Sequence, residues 1–211
     1  MIDERVILFD LGRVLIDFDH NIAVHKIKRF CSLNEKAIYN LFFDSGSTDK
    51  FEKGTISPLE FFQEVKTMLK ANIVYEEFLP IWNEIFTPHP GSLEVIESLK
   101  DNYRLYMVSN INELHFKYLE EKFGNYFKYF SYIFLSYEMG LRKPDPKIYK
   151  SIIEYIKLPA QNIIYTDDRP ELIEAAKKLH IDAFVFKNVD SLREELLNRN
   201  IKLDLVLSRR K

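Results

Sequence analysis

Cysteine is all but missing: Cys31 is the only one in 211 residues. No internal disulfide is therefore possible. Its setting, "RFCSLNEK", reads as a helix end with a buried, inert thiol. No apolar run approaches the roughly 20 residues needed to span a bilayer, so no membrane segment is expected. An excess of either charge is also lacking, with 30 basic against 32 acidic residues and a net charge of -2. That near-balance excludes the basic footprint of a nucleic-acid binder. The basic run Arg209-Arg210-Lys211 reads as a solvated tail. The first residues are acidic where a secretory leader would be basic, which points to a cytoplasmic protein. Internal repeats and low-complexity segments are absent as well.

Two textures are present. Short β-branched or aromatic runs recur as "RVILFD" (5–10), "YRLYMVSN" (103–110), "YIFLS" (132–136), "NIIYTDD" (162–168) and "DAFVF" (182–186). From residue 92 onward helical patterns separate them, marked by Leu93, Val95, Ile96 and Leu99, then by Leu114, Phe116, Tyr118 and Leu119. Ile148, Ile152, Ile153 and Ile156 mark a third helix, and Leu172, Ile173, Ala176 and Leu179 a fourth. Near-continuous apolar strands alternating with helices predict an α/β fold, a doubly wound and mostly parallel sheet covered on both faces.

Residues 18 to 88 show no strand pattern. Ser57-Pro58-Leu59-Glu60 is a capping box with proline at the first helical position, and Leu59, Phe62, Val65, Met68 and Leu69 supply its buried stripe. Ser32 with Glu35 suggests a second helix start. The reading is an α/β core of residues 1–17 and 89–211 interrupted by a helical cap at 18–88, with hinges at "DFDH" (17–20) and "TPHP" (87–90). The tail "IKLDLVLS" alternates with period two and reads as an edge strand or a dimer contact, leaving monomer and homodimer both open.

In an open parallel sheet, ligands bind beyond the carboxyl ends of the strands. Asp10, Ser109-Asn110 and Asp167-Asp168 all end strands. Lys143 lies in "GLRKPDP", just before a helix capped by Asp145 with Pro146 as first residue. Three carboxylates at one rim repel: at about 4 Å and an effective dielectric near 20, each pair costs on the order of 4 kcal/mol. A hard divalent cation relieves this, and Mg²⁺ is the usual choice where a phosphate shares the coordination. Lys143 adds a point charge for a nucleophile and a phosphoryl oxygen.

The order "FDLGRVL", "MVSN", "RKPDPKIY", "TDDRPELIEAA" resembles the four motifs of the haloacid dehalogenase superfamily, and the helical insert sits where a C1-type cap would. Within it, "FDLGRVLIDFD", "FEKGTIS" and "RKPDPKIY" look most like the bacterial sugar-phosphatase branch that includes α-D-glucose-1-phosphatase. The resemblance implies Mg²⁺-dependent hydrolysis of a small phosphorylated metabolite, a sugar phosphate, with Asp10 attacking phosphorus to form an aspartyl-phosphate. It implies that Ser109 and Asn110 bind the phosphoryl group and that Lys143 holds its charge. Asp168 falls on the metal-ligand position, with Asp167 acting through water and the backbone carbonyl of Gly12 completing the protein's ligands.

One position departs from the superfamily. The residue two after the nucleophile is usually a second Asp that protonates the leaving group, and here it is Gly12. Three explanations stand side by side: Glu52 or His20 supplies the proton from the cap, the leaving group departs unassisted, or the site only binds. Glu52, in a cap turn with Lys53 and Gly54, is also a candidate for substrate contact. A 2-haloacid dehalogenase and a non-catalytic binding protein are the alternative readings. His25, His89, His115 and His180 lack metal-ligand spacing and read as structural, while Trp82, Phe78, Ile85 and Phe86 read as cap core.

Overall fold

The computed structural model describes residues 4–204 apart from Asp44, with the side chain of Pro90 also left aside. Strand β1 (Val6–Phe9) leads into β2 (Ile16–Phe18), then five helices: α1 (His20–Ile27), α2 (Glu35–Phe43), α3 (Gly46–Glu52), α4 (Pro58–Leu69) and α5 (Tyr75–Asn83). The chain returns through β3 (Phe86–Pro88) and α6 (Pro90–Leu99) to β4 (Arg104–Ser109), α7 (Glu113–Phe127), β5 (Phe130–Leu135) and the short α8 (Ser136–Met139). It ends with α9 (Pro146–Ile156), β6 (Ile163–Asp167), α10 (Pro170–Lys177), β7 (Asp182–Val185) and α11 (Val189–Asn198).

The main sheet has the order β5-β4-β1-β6-β7, with every pairing parallel. Both faces are covered, as the apolar runs require. Ile7 and Phe9 of β1 join Leu105, Met107 and Ile164 against α6, α7 and α11. The alternate residues Val6 and Leu8 join Tyr106, Val108 and Tyr165 against α9 and α10. A strand's side chains point alternately to opposite faces, so an unbroken apolar run is what a doubly covered strand needs.

Residues between β2 and β3 close a separate cluster around Phe42, Phe51, Phe61, Phe78 and Trp82, with no contribution from the main strands to its buried set. The Ser57 capping box forms as read, with Ser57 Oγ accepting from the Glu60 N–H and Glu60 accepting at Ser57 N, but Leu59, expected in the buried stripe, is exposed in the first turn and Phe61 is buried instead. The other helix start is corrected by one physical detail: Asn34, not Ser32, caps α2, its Oδ1 accepting from Ala37 N at 2.9 Å. Cys31 is only half-buried, against the expectation of a buried thiol.

The expected hinges are not plain loops. Ile16–Phe18 pairs antiparallel with Phe86–Pro88, placing a two-stranded ribbon where the helical segment leaves and rejoins the core. Asp19 then caps α1, accepting from Asn21 N at 2.9 Å. At the other end of the chain, Ile201 packs into the core and Asp204 N donates to Ser98 O at 3.0 Å, without strand structure over 201–204. The rest of the alternating tail lies outside the described residues.

Phe61 is fully buried and stacks on Phe51 with centroids 4.5 Å apart. Phe61→Ala should cost about 3–5 kcal/mol, read as a lowered urea midpoint at unchanged slope.

Candidate active site

The register of the sheet delivers the acids to one place. Phe9 lies beside Met107 on one side and Thr166 on the other, so the strands end at nearly one level. The Asp10 N–H continues the ladder by donating to Thr166 O at 2.9 Å, which fixes Asp10 next to Asp167. Oxygen atoms of Asp10, Asp167 and Asp168 come within 4.8 Å of one another.

Lys143 arrives from the loop after α8, with its side chain only 1% exposed. Its Nζ donates to Asp10 Oδ1 at 2.6 Å and to Asp167 Oδ2 at 2.7 Å, and lies 3.2 Å from the Tyr165 hydroxyl and 3.3 Å from Val108 O. Three ammonium protons are thus shared among four acceptors. The main chain of Lys143 is held equally firmly: its N–H donates to Asn110 Oδ1 and Asn110 Nδ2 donates back to its carbonyl, both at 2.8 Å. Asn110 lines the cavity as expected, but its amide is spent on placing Lys143. Ser109, buried at the end of β4, lines the cavity beside it.

The two carboxylates that Lys143 bridges are held differently. Asp167 Oδ2 also accepts from the Tyr165 hydroxyl, and Oδ1 accepts from Arg169 N at 3.0 Å. Burial pulls the Asp167 carboxyl upward, but Lys143, Tyr165 and the Arg169 N–H outweigh it and keep it below the ordinary range. Asp10 is pushed up to about 7, by burial first and then by Asp167 and Asp168 against the pull of Lys143. Asp168, half-buried, is raised by burial and by Asp167. The same two carboxylates hold Lys143 protonated despite its burial.

One ammonium therefore faces three carboxylates, and the upward push on Asp10 and Asp168 comes from burial first and from the neighbouring acids after it. An all-oxygen donor set with excess negative charge fits a hard divalent cation such as Mg²⁺. Asp10 Oδ2 and the Asp168 carboxylate are the open oxygens; Asp167, with both oxygens engaged, fits a contact through water.

The acids line a cavity of about 560 Å³ whose other walls come from both the helical segment and the core. One wall is aromatic. His20 stacks on Phe43 at 3.7 Å, Phe43 on Trp82 at 5.4 Å, and Trp82 on His115 at 4.6 Å, a column of nearly parallel rings flanked by Phe18 and Phe86. Burial pushes His115 down to about 3, and its ring nitrogens face Trp82 O and Asn112, so it is neutral. The opposite wall is charged: Arg142 reaches Asp49 Oδ1 and Glu52 Oε2, each at 2.6 Å. Gly12 lines the cavity between these walls. A Cβ there would lie 3.0 Å from Phe18 Cε1 and 3.9 Å from Asp10 Oδ2, so the Phe18 ring occupies the flank that an acid at this position would need.

Asp10, Gly12, Glu52, Ser109, Asn110, Lys143, Asp167 and Asp168 thus all line one cavity, and so does His20. Arg142, Asp49, Phe18, Phe43 and His115 join them without having been singled out as site residues. Nothing local marks them, because each reads as an ordinary helix, hinge or loop residue. Tyr165 was also missed, since a tyrosine within a strand looks like packing.

The haloacid dehalogenase-like hydrolase family matches residues 4–180. The chain belongs to that family. Among relatives of this haloacid dehalogenase-like hydrolase, the D-ribitol-5-phosphate phosphatase of Bacteroides thetaiotaomicron is 25% identical over 196 residues, spanning 90% of this chain and 95% of that protein. A sesquiterpene phosphatase of Aspergillus oryzae is 24% identical over 82% of this chain and 85% of its own. A haloacid dehalogenase family enzyme of Bacteroides thetaiotaomicron, solved in complex with magnesium and inorganic phosphate, superposes with a TM-score of 0.75 at 26% identity, covering 87% of this chain and 94% of that one.

Removing the ammonium from this hydrolase should leave two buried carboxylates facing each other. Lys143→Met is expected to cost about 3–5 kcal/mol in urea unfolding with a chelator present at pH 8. The loss should shrink as pH falls, starting above 7, because without the pull of Lys143 the Asp10 carboxyl takes up a proton at a higher pH than the value of about 7 it has beside the ammonium.

Proposed function

We propose that this protein hydrolyses a small phosphomonoester, a sugar phosphate or a related hydroxylated ester, with Mg²⁺ as cofactor and Asp10 as nucleophile. The observation that carries the reading is the Lys143-bridged acid cluster lining a cavity shared by the core and the helical segment. The volume suits a small metabolite, since ligand pockets run from about 300 to 1,000 Å³. The phosphatase names of two relatives and the magnesium and phosphate held by a structural neighbour support it.

Lys143, 2.6 Å from Asp10 Oδ1, holds the carboxylate so that one of its oxygens attacks phosphorus while the other faces the cation. The new Asp10–phosphorus bond forms as the bond to the ester oxygen breaks, and the leaving oxygen takes the electron pair and a proton. Ser109 is placed to donate to a phosphoryl oxygen, and Lys143 to balance charge on the carboxylate and the phosphoryl group. Water then attacks phosphorus, releasing inorganic phosphate and restoring Asp10. Asp10, Asp168 and the Gly12 carbonyl would hold Mg²⁺, with Asp167 through water; when bound, the ion supplies charge neutralisation at the phosphoryl oxygens. Residues 18–88 serve as the cap, covering the acids and excluding bulk water.

Halide displacement, the other chemistry weighed for this scaffold, needs a single carboxylate and no cation, and gives the converging Asp167 and Asp168 no task. Phosphate release should be measured across sugar, nucleotide and short-chain phosphates with Mg²⁺ and with chelator. Asp10→Asn and metal removal should each reduce release to background. Asp168→Asn should raise the Mg²⁺ concentration for half-maximal rate by about tenfold or more. Turnover that survives Asp10→Asn removes the nucleophile assignment, and halide release from chloroacetate without metal favours the dehalogenase instead.

A further inference from the structure

We infer that Glu52 is the catalytic proton donor and acceptor of this site, taking from the helical segment the task that Gly12 has no side chain to perform. The inference rests on the phosphomonoester reading above and adds the residue that completes its proton balance.

Geometry carries it. Glu52 ends α3 and lines the cavity opposite the aromatic wall. It is fixed to the core at three points. Ser136 Oγ, within 2.6 Å of the Glu52 carbonyl, also accepts from Ile111 N at 2.9 Å, tying the end of α3 to the loop that follows Ser109 and Asn110. Two residues on, Gly54 has a φ of +65° and passes so close to the core that a Cβ would lie 2.0 Å from the Tyr137 carbonyl oxygen. Arg142, next in sequence to Lys143, brings Nη2 to 2.6 Å from Glu52 Oε2. That contact is off hydrogen-bond geometry, and Oε2 is buried with no hydrogen-bond partner. The carboxyl is thus placed by the core yet incompletely satisfied, as a group that gains and loses a proton must be. Oε1 is the oxygen assigned to the transfer.

The other cavity side chains are committed elsewhere. Asp49 is held below its ordinary range by the Lys53 hydrogen bond, then by Arg142. His115 is neutral, with both ring nitrogens occupied. His20 lies flat against Phe43 and turns Nδ1 to the Tyr39 hydroxyl at 3.4 Å. Lys143 stays protonated between two acids. The charged groups facing Glu52 are Arg142, Asp49 and Arg169. Burial raises its carboxyl, with Asp49 assisting and the two arginines opposing.

The steps balance. In the first, the ester oxygen–phosphorus bond breaks, its electron pair passes to the leaving oxygen, and that oxygen takes the Glu52 proton as the alcohol departs. In the second, the Glu52 carboxylate takes a proton from water as the water oxygen bonds to phosphorus. The Asp10–phosphorus bond breaks, and Glu52 is again protonated.

The test is leaving-group dependence. Wild type, Glu52→Gln and Glu52→Asp are compared with Mg²⁺ on p-nitrophenyl phosphate, whose leaving group needs no proton, and on the best alkyl phosphate of the panel. Glu52→Gln should lose about 10²-fold or more in kcat/KM on the alkyl ester but less than about threefold on the aryl ester. Glu52→Asp should recover part of the alkyl activity. Independently of any variant, the wild-type rate on the alkyl ester should fall with rising pH as Glu52 loses its proton, whereas the aryl ester should show no such fall. Equal losses on both esters, no loss on the alkyl ester, or identical wild-type pH profiles overturn the assignment of Glu52. A wild-type protein inactive on both esters overturns the phosphatase reading itself, and the assignment with it.

Discussion

An ammonium buried between two carboxylates is the constraint on which this molecule is organised. Taking Lys143 out of water is costly, and the cost is offset only because Asp10 and Asp167 meet it at 2.6 and 2.7 Å and Asn110 clamps its main chain from both sides. The sheet makes this possible. Parallel strands in one register end at one level, so residues more than 150 positions apart in the chain share a rim. The same contact sorts the oxygens of Asp10, engaging Oδ1 and leaving Oδ2 toward the cavity, and it turns the Asp167 carboxylate inward to Tyr165. The orientation of the Asp10 carboxylate and the difference between the neighbouring acids both follow from where one nitrogen sits.

Gly12 and Phe18 extend that logic to the helical segment. A core that carries its acid two residues after the nucleophile has a complete site without a cover. Here the Phe18 ring flanks Gly12, and the other acids that line the cavity, Asp49 and Glu52, stand on α3. Chemistry then depends on how α3 docks, and the docking is stiff: a hydroxyl bridge at Ser136, a backbone approach at Gly54 that tolerates no side chain, and Arg142 shared between Asp49 and Glu52. The ribbon of β2 and β3 anchors both ends of the segment that carries it.

Much of this was legible in the sequence where the signal is local. The inner strands β4, β1 and β6 are near-continuous buried runs because both faces are covered, whereas the edge strand β5 exposes Ser131 and Tyr132. The Ser57 box and the Asp145-Pro146 start form as read. Asp10, Asp167 and Asp168 were legible as a group because they close strands of one sheet, and Lys143 because it stands just before the Asp145-Pro146 helix start. What escaped has a common cause: its meaning depends on a partner distant in sequence. Three-residue strands such as Ile16–Phe18 are too short for a period, and Phe86–Pro88 contains a proline that argues against pairing. Asn34 rather than Ser32 caps α2 because the helix begins one residue after Asn34. Asn110 reads as a phosphate contact until the Lys143 main chain is seen to occupy its amide. Arg142 reads as a loop cation until Asp49 and Glu52 arrive from another part of the chain.

The charge balance also constrains how substrate enters. With Lys143 protonated and the three acids ionised, the cluster carries a net charge of two negatives, and a phosphomonoester brings up to two more. At about 4 Å and an effective dielectric near 20, each like-charge pair costs on the order of 4 kcal/mol, far more than a few hydrogen bonds return. The nearby arginines offer limited relief. Arg142 is shared between Asp49 and Glu52, Arg169 pairs with Glu171, and Arg13 lies over the Phe18 ring at 4.7 Å. On the proposed phosphatase reading, phosphate affinity and divalent-cation affinity are expected to be coupled in this site, each raising the other by the same factor.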